Sequence, residues 1–412
     1  MIGRSHRPRP QGTLRHYSHL LTPSGATGMR LATERAAGQR LGRLLDTGRD
    51  GVRERLRPSR PTMRALSAAP GGRLRWASAP TPRLPGARGA IVHPIAAATC
   101  DLDCALALGA TQFPLPLHLG HECVAEVLAV GEQVATVRVG DRVIVPFQIN
   151  CGTCAPCLEG RTGNCASVPP ASMYGFGLTG GHWGGAFSDE LAVPYADAML
   201  VPLPPDVEPA AAASVADNVC DAYRHLAPHL PALLERDPGA QVLILGALSP
   251  RTPFSPSVPM YAALAARALG VRDVVLVDGR PHARAHAERL GLNVLPPRAL
   301  RRRAPAPLVV DVSGDNLGAA LACTAPDGIC TSAGCLHRST RVPVLSMYAR
   351  NATLYVGRTH ARALMPAVLG LIASERLRPE IVTTCVAPLD DAPRALREHF
   401  LGGGVKTVLT AS

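Results

Sequence analysis

Hydrophobic residues follow two kinds of pattern along this chain of 412 residues. Between Met63 and Phe147, apolar residues alternate with polar ones and are punctuated by glycine and proline, which is typical of short strands in a small barrel. Residues 240–278 contain an apolar run, a turn, an alanine-rich helical stretch and a second apolar run, and residues 307–334 repeat strand, helix and strand. The first region therefore predicts a β-barrel, and the second predicts βαβ units of a parallel sheet.

Arginine is concentrated at the amino end of the chain. Residues 1–62 hold thirteen arginines and four acidic residues, a net +9 of the total +12, so the remainder is nearly neutral. This segment lacks apolar periodicity and is rich in Arg, Pro, Gly and Ser, which predicts disorder. We interpret it as an extension upstream of the start of the native protein; a basic arm for nucleic acid and an organellar transit peptide are the alternatives. Because the rest carries little charge, we expect no nucleic-acid partner.

Cysteine usage and apolar run length bear on the compartment. Twelve cysteines are too few for a disulfide scaffold in a chain of this length, and the first residues lack a charged-then-apolar secretory pattern. We therefore expect a cytoplasmic protein. The longest apolar run, residues 364–373, is well below the roughly 18 residues that a membrane-spanning helix needs, so no membrane association is expected.

Four of the cysteines lie close together in the segment CGTCAPCLEGRTGNC. Cys151, Cys154, Cys157 and Cys165 have the spacing C-x2-C-x2-C-x7-C in a loop punctuated by Gly and Pro. Four thiolates in such a loop suit one tetrahedral zinc ion, which has no redox chemistry of its own. A redox C-x-x-C pair is the alternative, but it leaves Cys157 and Cys165 without a role. Because protein atoms would fill all four positions, we expect this zinc to be structural and the chemistry to lie elsewhere.

A second group of candidate ligands precedes this loop. Cys100 and Asp103 lie in TCDLDCALALG, and His121 and Glu122 lie in LHLGHECVAEVL. Taken singly, Cys100 would be a buried small hydrophobe and His121 a hydrogen-bonded loop residue. The order GHE, then VGDRV, then the four-cysteine loop resembles the zinc-dependent alcohol dehydrogenases of the medium-chain dehydrogenase/reductase family. The resemblance runs from about Met63 to the carboxyl terminus.

Two longer segments narrow the resemblance within this family. PFQINCGTCAPC and GGHWGGAFSDELAVPYADAMLVPLP are similar to the branch that contains glutathione-independent formaldehyde dehydrogenases. The resemblance implies an α/β protein with a GroES-like β-barrel catalytic domain and a Rossmann coenzyme domain built on a doubly wound parallel sheet. The implied bounds are 1–62 for the extension, 63–217 for the catalytic domain, 218–358 for the coenzyme domain and 359–412 for the return to the catalytic domain. It also implies two zinc ions per chain and a homo-oligomer, either a dimer or a tetramer.

The resemblance further implies a catalytic zinc on Cys100 and His121. Glu122 would be a further ligand or a close neighbour, and Asp103 would steady the imidazole from behind.

The third protein ligand of this zinc is expected at the entrance to the coenzyme domain. SVADNVCDAYRHL aligns best with the acidic version of the family, which puts Asp217 in the ligand place, and zinc accepts a carboxylate oxygen. Cys220 and Asp221 are the competing choices. Asp217 could also simply cap the following helix.

Such a site implies the oxidation of an alcohol. An open zinc position takes the alcohol oxygen, the charge of the metal favours its deprotonation near neutral pH, and hydride passes to nicotinamide. The usual proton relay is missing, because Leu102 stands where many relatives have Ser or Thr and Ala105 stands where a histidine is often found. His182, Tyr174 or an ordered water could substitute.

The coenzyme prediction rests mainly on residues 240–278. Gly246 stands where the first glycine of a phosphate-binding turn belongs, and Asp278 ends the second strand, where an acid favours NAD over NADP. Arg280 complicates this choice, because an arginine just past the acid can meet a 2′-phosphate. Gly334 ends a later strand that, by the resemblance, approaches the nicotinamide half.

The phosphate-binding turn departs from the family pattern. Ala247 and Leu248 follow Gly246, several residues rich in Pro and Ser intervene, and Pro259 stands in the last glycine position, where it donates no N–H to a phosphate.

Together these features predict a zinc-dependent oxidoreductase that transfers a hydride between a small alcohol, or an aldehyde hydrate, and NAD or, less readily, NADP. A non-catalytic, zinc-stabilised binding protein is the alternative, since the altered turn and the absent relay are also what a lost activity would leave behind. Coenzyme binding distinguishes the two hypotheses.

Overall fold

The computed structural model describes residues 61–109, 111, 113–177, 180–252, 254–333 and 340–411. Most of the predicted extension, residues 1–60, lies outside the described residues, so its predicted disorder stays a prediction. Thr62, which the sequence assigned to the extension, is the first residue of a strand.

The strands of the described chain follow the apolar runs of the sequence. They are β1 (Thr62–Ala69), β2 (Arg73–Pro80), β3 (Ala90–Ala98), β4 (Leu117–His118), β5 (Glu122–Val130), β6 (Arg142–Val145), β7 (Leu191–Val193), β8 (Val201–Pro202), β9 (Gln241–Leu245), β10 (Asp273–Val277), β11 (Val294–Leu295), β12 (Ala306–Asp311), β13 (Thr324–Ser332), β14 (Thr353–Val356), β15 (Cys385–Pro388) and β16 (Thr407–Thr410).

The helices are mostly short, and the longer ones belong to the second half of the chain. They are α1 (Asp103–Ala107), α2 (Ala155–Leu158), α3 (Ala196–Met199), α4 (Pro209–Ala212), α5 (Asn218–Arg224), α6 (Leu230–Arg236), α7 (Ser257–Ala268), α8 (Pro281–Arg289), α9 (Leu317–Ala322), α10 (Val344–Arg350), α11 (Ala361–Ala373) and α12 (Ala392–Gly402). Among the described residues, no helix is both long enough and apolar enough to cross a bilayer.

One sheet is entirely parallel. Its six strands run in the order β11-β10-β9-β12-β13-β14, and β9 and β10 are neighbours joined through α7. The last four residues of each of these two strands are buried, as expected for a sheet whose two faces are both covered by helices. The chain enters the middle of the sheet at β9 and moves outward in both directions, which is the doubly wound arrangement that the sequence predicted.

The second large sheet is mainly antiparallel. Its order is β15-β16-β3-β5-β6-β8, with β7 also paired to β3. The alternating apolar residues of β3 and β5 lie in the core beneath this sheet, and the pairing of the two strands is interrupted by irregularities that bend it. A smaller antiparallel sheet, β2-β1-β4, lies beside it. The predicted fold class, a parallel α/β domain with a β-rich partner, is confirmed.

The last strand of the chain returns to the first half of the molecule. Val408, Leu409 and Thr410 of β16 pair with residues 96–98 of β3. This pairing brings the carboxyl-terminal segment next to the residues that follow β3, where Cys100 lies.

Candidate metal centres and coenzyme site

The predicted catalytic cluster is assembled from three separate parts of the chain. Cys100 follows β3, His121 and Glu122 stand at the start of β5, and Asp217 lies between the 3₁₀ turn of residues 213–216 and α5. One ligand atom from each of these four residues lies within 4.8 Å of the others, and all four residues are buried. The Oδ2 atom of Asp217 is 3.4 Å from the Cys100 Sγ and 3.5 Å from the His121 Nε2.

Asp217 differs from the two competing candidates, Cys220 and Asp221, in the groups that its side chain contacts. Although Asp217 holds the N-cap position of α5, its side chain makes no capping hydrogen bond and faces Cys100 and His121 instead. The carboxylate of Asp221 pairs with Arg224 and accepts a hydrogen bond from the Thr359 hydroxyl. Cys220 is buried but is not among the four clustered donors.

Asp103 lies behind His121, at the start of α1. Its Oδ2 accepts a 2.8 Å hydrogen bond from the backbone N–H of Cys100, and its Oδ1 is 3.8 Å from the His121 Nδ1. One carboxylate thus contacts the segments that carry two of the candidate ligands.

The donor set fits a divalent cation. Among the described residues, neither ring nitrogen of His121 has a hydrogen-bond partner of normal geometry, although the ring is buried. Buried polar atoms are nearly always satisfied in proteins, so an imidazole in this state is expected of a metal ligand. Thiol, imidazole and carboxylate are the donors that zinc prefers.

The charges in the cluster also call for a cation. Burial, together with the carboxylates of Asp217 and Glu122, raises the pKa of the Cys100 thiol well above its ordinary value. Burial likewise raises the pKa of Glu122 to about 8, against the opposing effect of Lys406. A bound divalent ion would reverse these shifts, because it stabilises the deprotonated form of each ligand.

Lys406 is a buried lysine that sequence reasoning missed. Its Nζ donates a 2.7 Å hydrogen bond to the Glu122 Oε2 and a 2.9 Å hydrogen bond to the Asn218 Oδ1. Burial alone would lower the pKa of this lysine, but Glu122 together with the other nearby acidic groups outweighs burial and raises the pKa above the ordinary value. The available signal was a single lysine in the otherwise uncharged segment VKTVLT, directly before β16.

Asn218, the first residue of α5, connects the cluster through its amide groups. Its side-chain Nδ2 donates to the Cys100 Sγ at 3.3 Å and to the Asp217 Oδ2 at 3.1 Å. Its backbone N–H donates to the Glu122 Oε1 at 3.3 Å. These hydrogen bonds join Asn218 to three of the four clustered residues.

Aromatic rings pack against the imidazole of the cluster. The centroid of the His121 ring is 4.9 Å from that of Phe176 and 6.0 Å from that of Phe147, and Phe113 packs edge-on against Phe176 at 4.7 Å. The neighbourhood of the imidazole is therefore apolar.

A glycine permits this close packing around His121. Gly175 has a φ of +76°, and a Cβ added there would lie 2.6 Å from the Gly120 carbonyl oxygen and 3.1 Å from the His121 Nδ1. Any side chain at this position would press against the imidazole.

The two side chains considered as substitute proton relays do not join the cluster by any observed contact. The Tyr174 hydroxyl donates a 2.8 Å hydrogen bond to the Ala192 carbonyl oxygen, and burial raises its pKa well above the ordinary value. His182 is exposed, in a left-handed backbone conformation with a φ of 58°.

The four cysteines of the CGTCAPC loop form the second cluster. The sulfur atoms of Cys151, Cys154, Cys157 and Cys165 lie within 4.8 Å of one another. Cys154 and Cys165 have their sulfurs 3.9 Å apart, far beyond a disulfide bond and close to the ~3.8 Å edge of a tetrahedron with Zn–S bonds of about 2.3 Å. Backbone N–H groups of Thr153 and Cys154 donate to the Cys151 sulfur at 3.4 Å each.

These amides favour a thiolate at Cys151. Although burial opposes ionisation, hydrogen bonds with Ser167, Thr153 and Cys154 lower the pKa of Cys151 to about 5. The donor set of the cluster, four sulfur atoms, fits zinc.

The predicted coenzyme residues Gly246 and Asp278 stand side by side at the carboxyl ends of β9 and β10. A Cβ added to Gly246 would lie 2.3 Å from the Asp278 Oδ2, so no larger residue fits while that carboxylate keeps its place. Arg280 forms a buried ion pair with Asp278, with 2.6 Å between the Arg280 Nη2 and the Asp278 Oδ2. Gly334 lies outside the described residues.

Comparisons with known proteins agree with this architecture. Residues 86–205 match the family described as the alcohol dehydrogenase GroES-like domain. A probable zinc-binding alcohol dehydrogenase of Mycobacterium tuberculosis is 30% identical over 342 residues, covering 81% of this chain and 84% of that protein. A solved alcohol dehydrogenase from Thermus sp. ATN1 is 28% identical with a TM-score of 0.74, covering 85% of this chain and all of that one.

A further relative matches a shorter segment. The glutathione-independent formaldehyde dehydrogenase of Pseudomonas aeruginosa is 35% identical over 212 residues, which is 50% of either protein. The chain therefore spans about half the length of this relative.

Proposed function

Because the chain belongs to the family of zinc-binding alcohol dehydrogenases, we propose that it is a zinc-dependent oxidoreductase. It transfers a hydride between NAD(P) and a small alcohol or the hydrate of an aldehyde. The observation that carries this proposal is the buried cluster of Cys100, His121, Glu122 and Asp217, whose donor atoms converge from three parts of the chain. The match to a formaldehyde dehydrogenase over half its length supports a small aldehyde or alcohol as substrate.

In this proposal Cys100, His121 and Asp217 hold the catalytic zinc, and Glu122 is a further ligand or an adjacent charge. When bound, the zinc supplies a Lewis acid that lowers the pKa of an alcohol. Asp103 orients the His121 ring from behind, at the 3.8 Å separation given above.

Two further side chains contact the proposed metal ligands. Lys406 balances the buried negative charge of Glu122 through their 2.7 Å contact. Asn218 donates to Cys100 and Asp217 and so helps to fix the positions of two of the proposed ligands.

The side chains around His121 determine the polarity of the surface that a substrate would contact there. The rings of Phe147 and Phe176 exclude water from this side of the imidazole and favour an apolar substituent. Leu102 offers no hydroxyl, so the alcohol proton leaves by a route other than the usual side-chain relay.

The second zinc belongs to Cys151, Cys154, Cys157 and Cys165 and has a structural role. Four protein sulfurs would complete the coordination of a zinc ion and would leave no position for a substrate.

NAD is the favoured coenzyme. Asp278 at the end of β10 is the acidic acceptor expected for the adenine ribose. This acid supports NAD over NADP, and the Arg280 guanidinium, which could meet a 2′-phosphate, is paired with the Asp278 carboxylate in the structure.

A homo-oligomer is supported by the free edge of the parallel sheet. Within the described part of the chain, β14 pairs only with β13 and has an open outer edge, and Tyr355 and Val356 on it are exposed. Leu345 and Tyr348 on the adjacent α10 are 80% and 83% exposed. An open strand edge beside exposed apolar side chains suits a two-fold interface with a second copy.

The proposal is tested by alcohol-dependent formation of NADH, followed at 340 nm, across a panel of small alcohols and aldehydes. Asp217→Ala should lose one zinc ion per chain and reduce the best activity by more than roughly a hundredfold, the upper end of what outer-sphere changes cost. The matched control is Cys220→Ala, which removes the neighbouring thiol and should keep both zinc and activity. Full zinc and activity in Asp217→Ala would transfer the ligand role to another residue.

A further inference from the structure

The amino end of α7 is held by a carboxylate from the other half of the molecule. Asp101, directly after Cys100, accepts hydrogen bonds from the backbone N–H of Val258 at 3.2 Å and of Ser257 at 3.4 Å. It also accepts a hydrogen bond from the Ser257 hydroxyl at 2.5 Å. All of these donors belong to the first turn of the twelve-residue helix α7.

This helix end is the place where a dinucleotide-binding fold receives its anion. α7 joins β9 to its parallel neighbour β10, and a helix in this position normally presents its free N–H groups to the pyrophosphate of the coenzyme. In this chain the N–H groups of residues 257 and 258 already have an anionic partner.

The place of the adenine ribose is also filled by the chain itself. The Asp278 carboxylate is 1% exposed and accepts hydrogen bonds from the Arg280 backbone N–H and guanidinium. The same guanidinium donates to the carbonyl oxygen of Phe254, in the loop between β9 and α7. Ser255 of this loop makes a 2.7 Å hydrogen bond with His399, so Arg280 and His399 each contact the loop.

We propose that Asp101 is an internal competitor for the coenzyme site: its carboxylate keeps anions from the amino end of α7 until it moves away. The inference rests on the proposed function, under which the excluded anion is the pyrophosphate of NAD(H). A carboxylate and a phosphate cannot accept hydrogen bonds from the same N–H groups at once, and two negative charges bound side by side would repel each other. Asp101 thereby sets the affinity for the coenzyme.

A purely structural role for Asp101 makes a different prediction. If Asp101 only caps α7 and joins the two halves of the chain, a neutral residue there weakens the fold and leaves anion binding unchanged. Asn and Ser are both good residues for helix amino ends, so Asp101→Asn and Asp101→Ser remove the charge but keep a capping oxygen.

The test uses the full-length, zinc-loaded protein and two probes. Sulfate is a simple anion for the amino end of α7, and its binding is followed by the rise in melting temperature relative to chloride at equal ionic strength. NADH is the dinucleotide, and its affinity is measured by calorimetric titration. The control for the loss of one negative charge is Glu235→Gln, on the exposed face of α6.

We expect Asp101→Asn and Asp101→Ser to bind NADH at least tenfold more tightly than the wild type, and to gain a sulfate-dependent stabilisation that Glu235→Gln lacks. An unchanged sulfate shift in both Asp101 variants would overturn the proposal. If the variants gain sulfate binding but neither they nor the wild type bind NADH, the role of Asp101 stands and the coenzyme assignment fails. If the wild type already binds NADH as tightly as the variants, Asp101 is no competitor and the coenzyme assignment stands.

Discussion

At the scale of single residues, the candidate catalytic metal centre consists of ionisable side chains that are buried next to one another. The candidate ligands were accessible to sequence reasoning because thiol, imidazole and carboxylate side chains stand in an order typical of one family. The roles of Lys406 and Asn218 could not be predicted from the sequence, because these residues contact partners that are distant in sequence. Lys406, for example, is 284 residues from Glu122. A contact of this kind depends on how β16 packs against β3, which no local pattern encodes.

The pair of Lys406 and Glu122 yields a prediction about stability. Both side chains are fully buried, so Lys406→Met leaves the Glu122 charge without its partner. We expect the free energy of unfolding to fall by about 3–5 kcal/mol, the usual cost of an uncompensated buried charge. Urea titration measures this change.

The double variant Lys406→Met with Glu122→Gln is the control for that experiment. It removes both charges and should recover part of the lost stability. A single Lys406→Met variant as stable as the wild type would show that the pair is not essential to the fold.

At the scale of elements, the apolar runs of the sequence predicted β9, α7 and β10 in their observed order. Long apolar runs predict such strands reliably, because helices cover both faces of a parallel sheet and its strands are therefore apolar on both sides. The loop between β9 and α7 was recognised as abnormal, but its course was not predictable, since Arg280 and His399 hold it from outside the segment. The sequence also could not decide whether the Asp217 side chain caps α5 or faces Cys100 and His121, because aspartate both caps helices and binds metals.

The four-cysteine loop is an element whose stability should depend on its metal. Cys154→Ser removes one of four sulfurs from a closed shell, and we expect the melting temperature and the zinc content both to fall, because metal binding and local folding are coupled. Cys385→Ser, at an exposed cysteine outside both clusters, is the matched control and should change neither. An unchanged melting temperature in Cys154→Ser would contradict a structural role for the loop.

At the scale of the whole molecule, the fold class and the family resemblance predicted from the motifs are confirmed. The exact domain bounds stay predictions. What the sequence could not supply is how the two sheets meet, since the β16–β3 pairing and the Asp101 contact with α7 each join segments more than 150 residues apart. The open edge of β14 likewise became visible only once the strand order was known.

That open edge predicts self-association. We expect the wild type to sediment as a dimer or a tetramer, and Leu345→Asp with Tyr348→Asp to shift it toward monomer, because two charges would enter an apolar interface. Leu401→Asp is the control, since Leu401 is equally exposed at 80% but lies on α12. A wild type that sediments as a monomer would remove the proposed interface.

The central claim is that this chain holds two zinc sites of different kinds, one on Cys100, His121 and Asp217 and one on four cysteines. Metal analysis of the purified, full-length protein tests it most directly, because each donor cluster fits one ion. We predict about two zinc ions per chain, with one lost in Asp217→Ala. A content of one zinc or fewer in the wild type, or iron in place of zinc, would contradict the account.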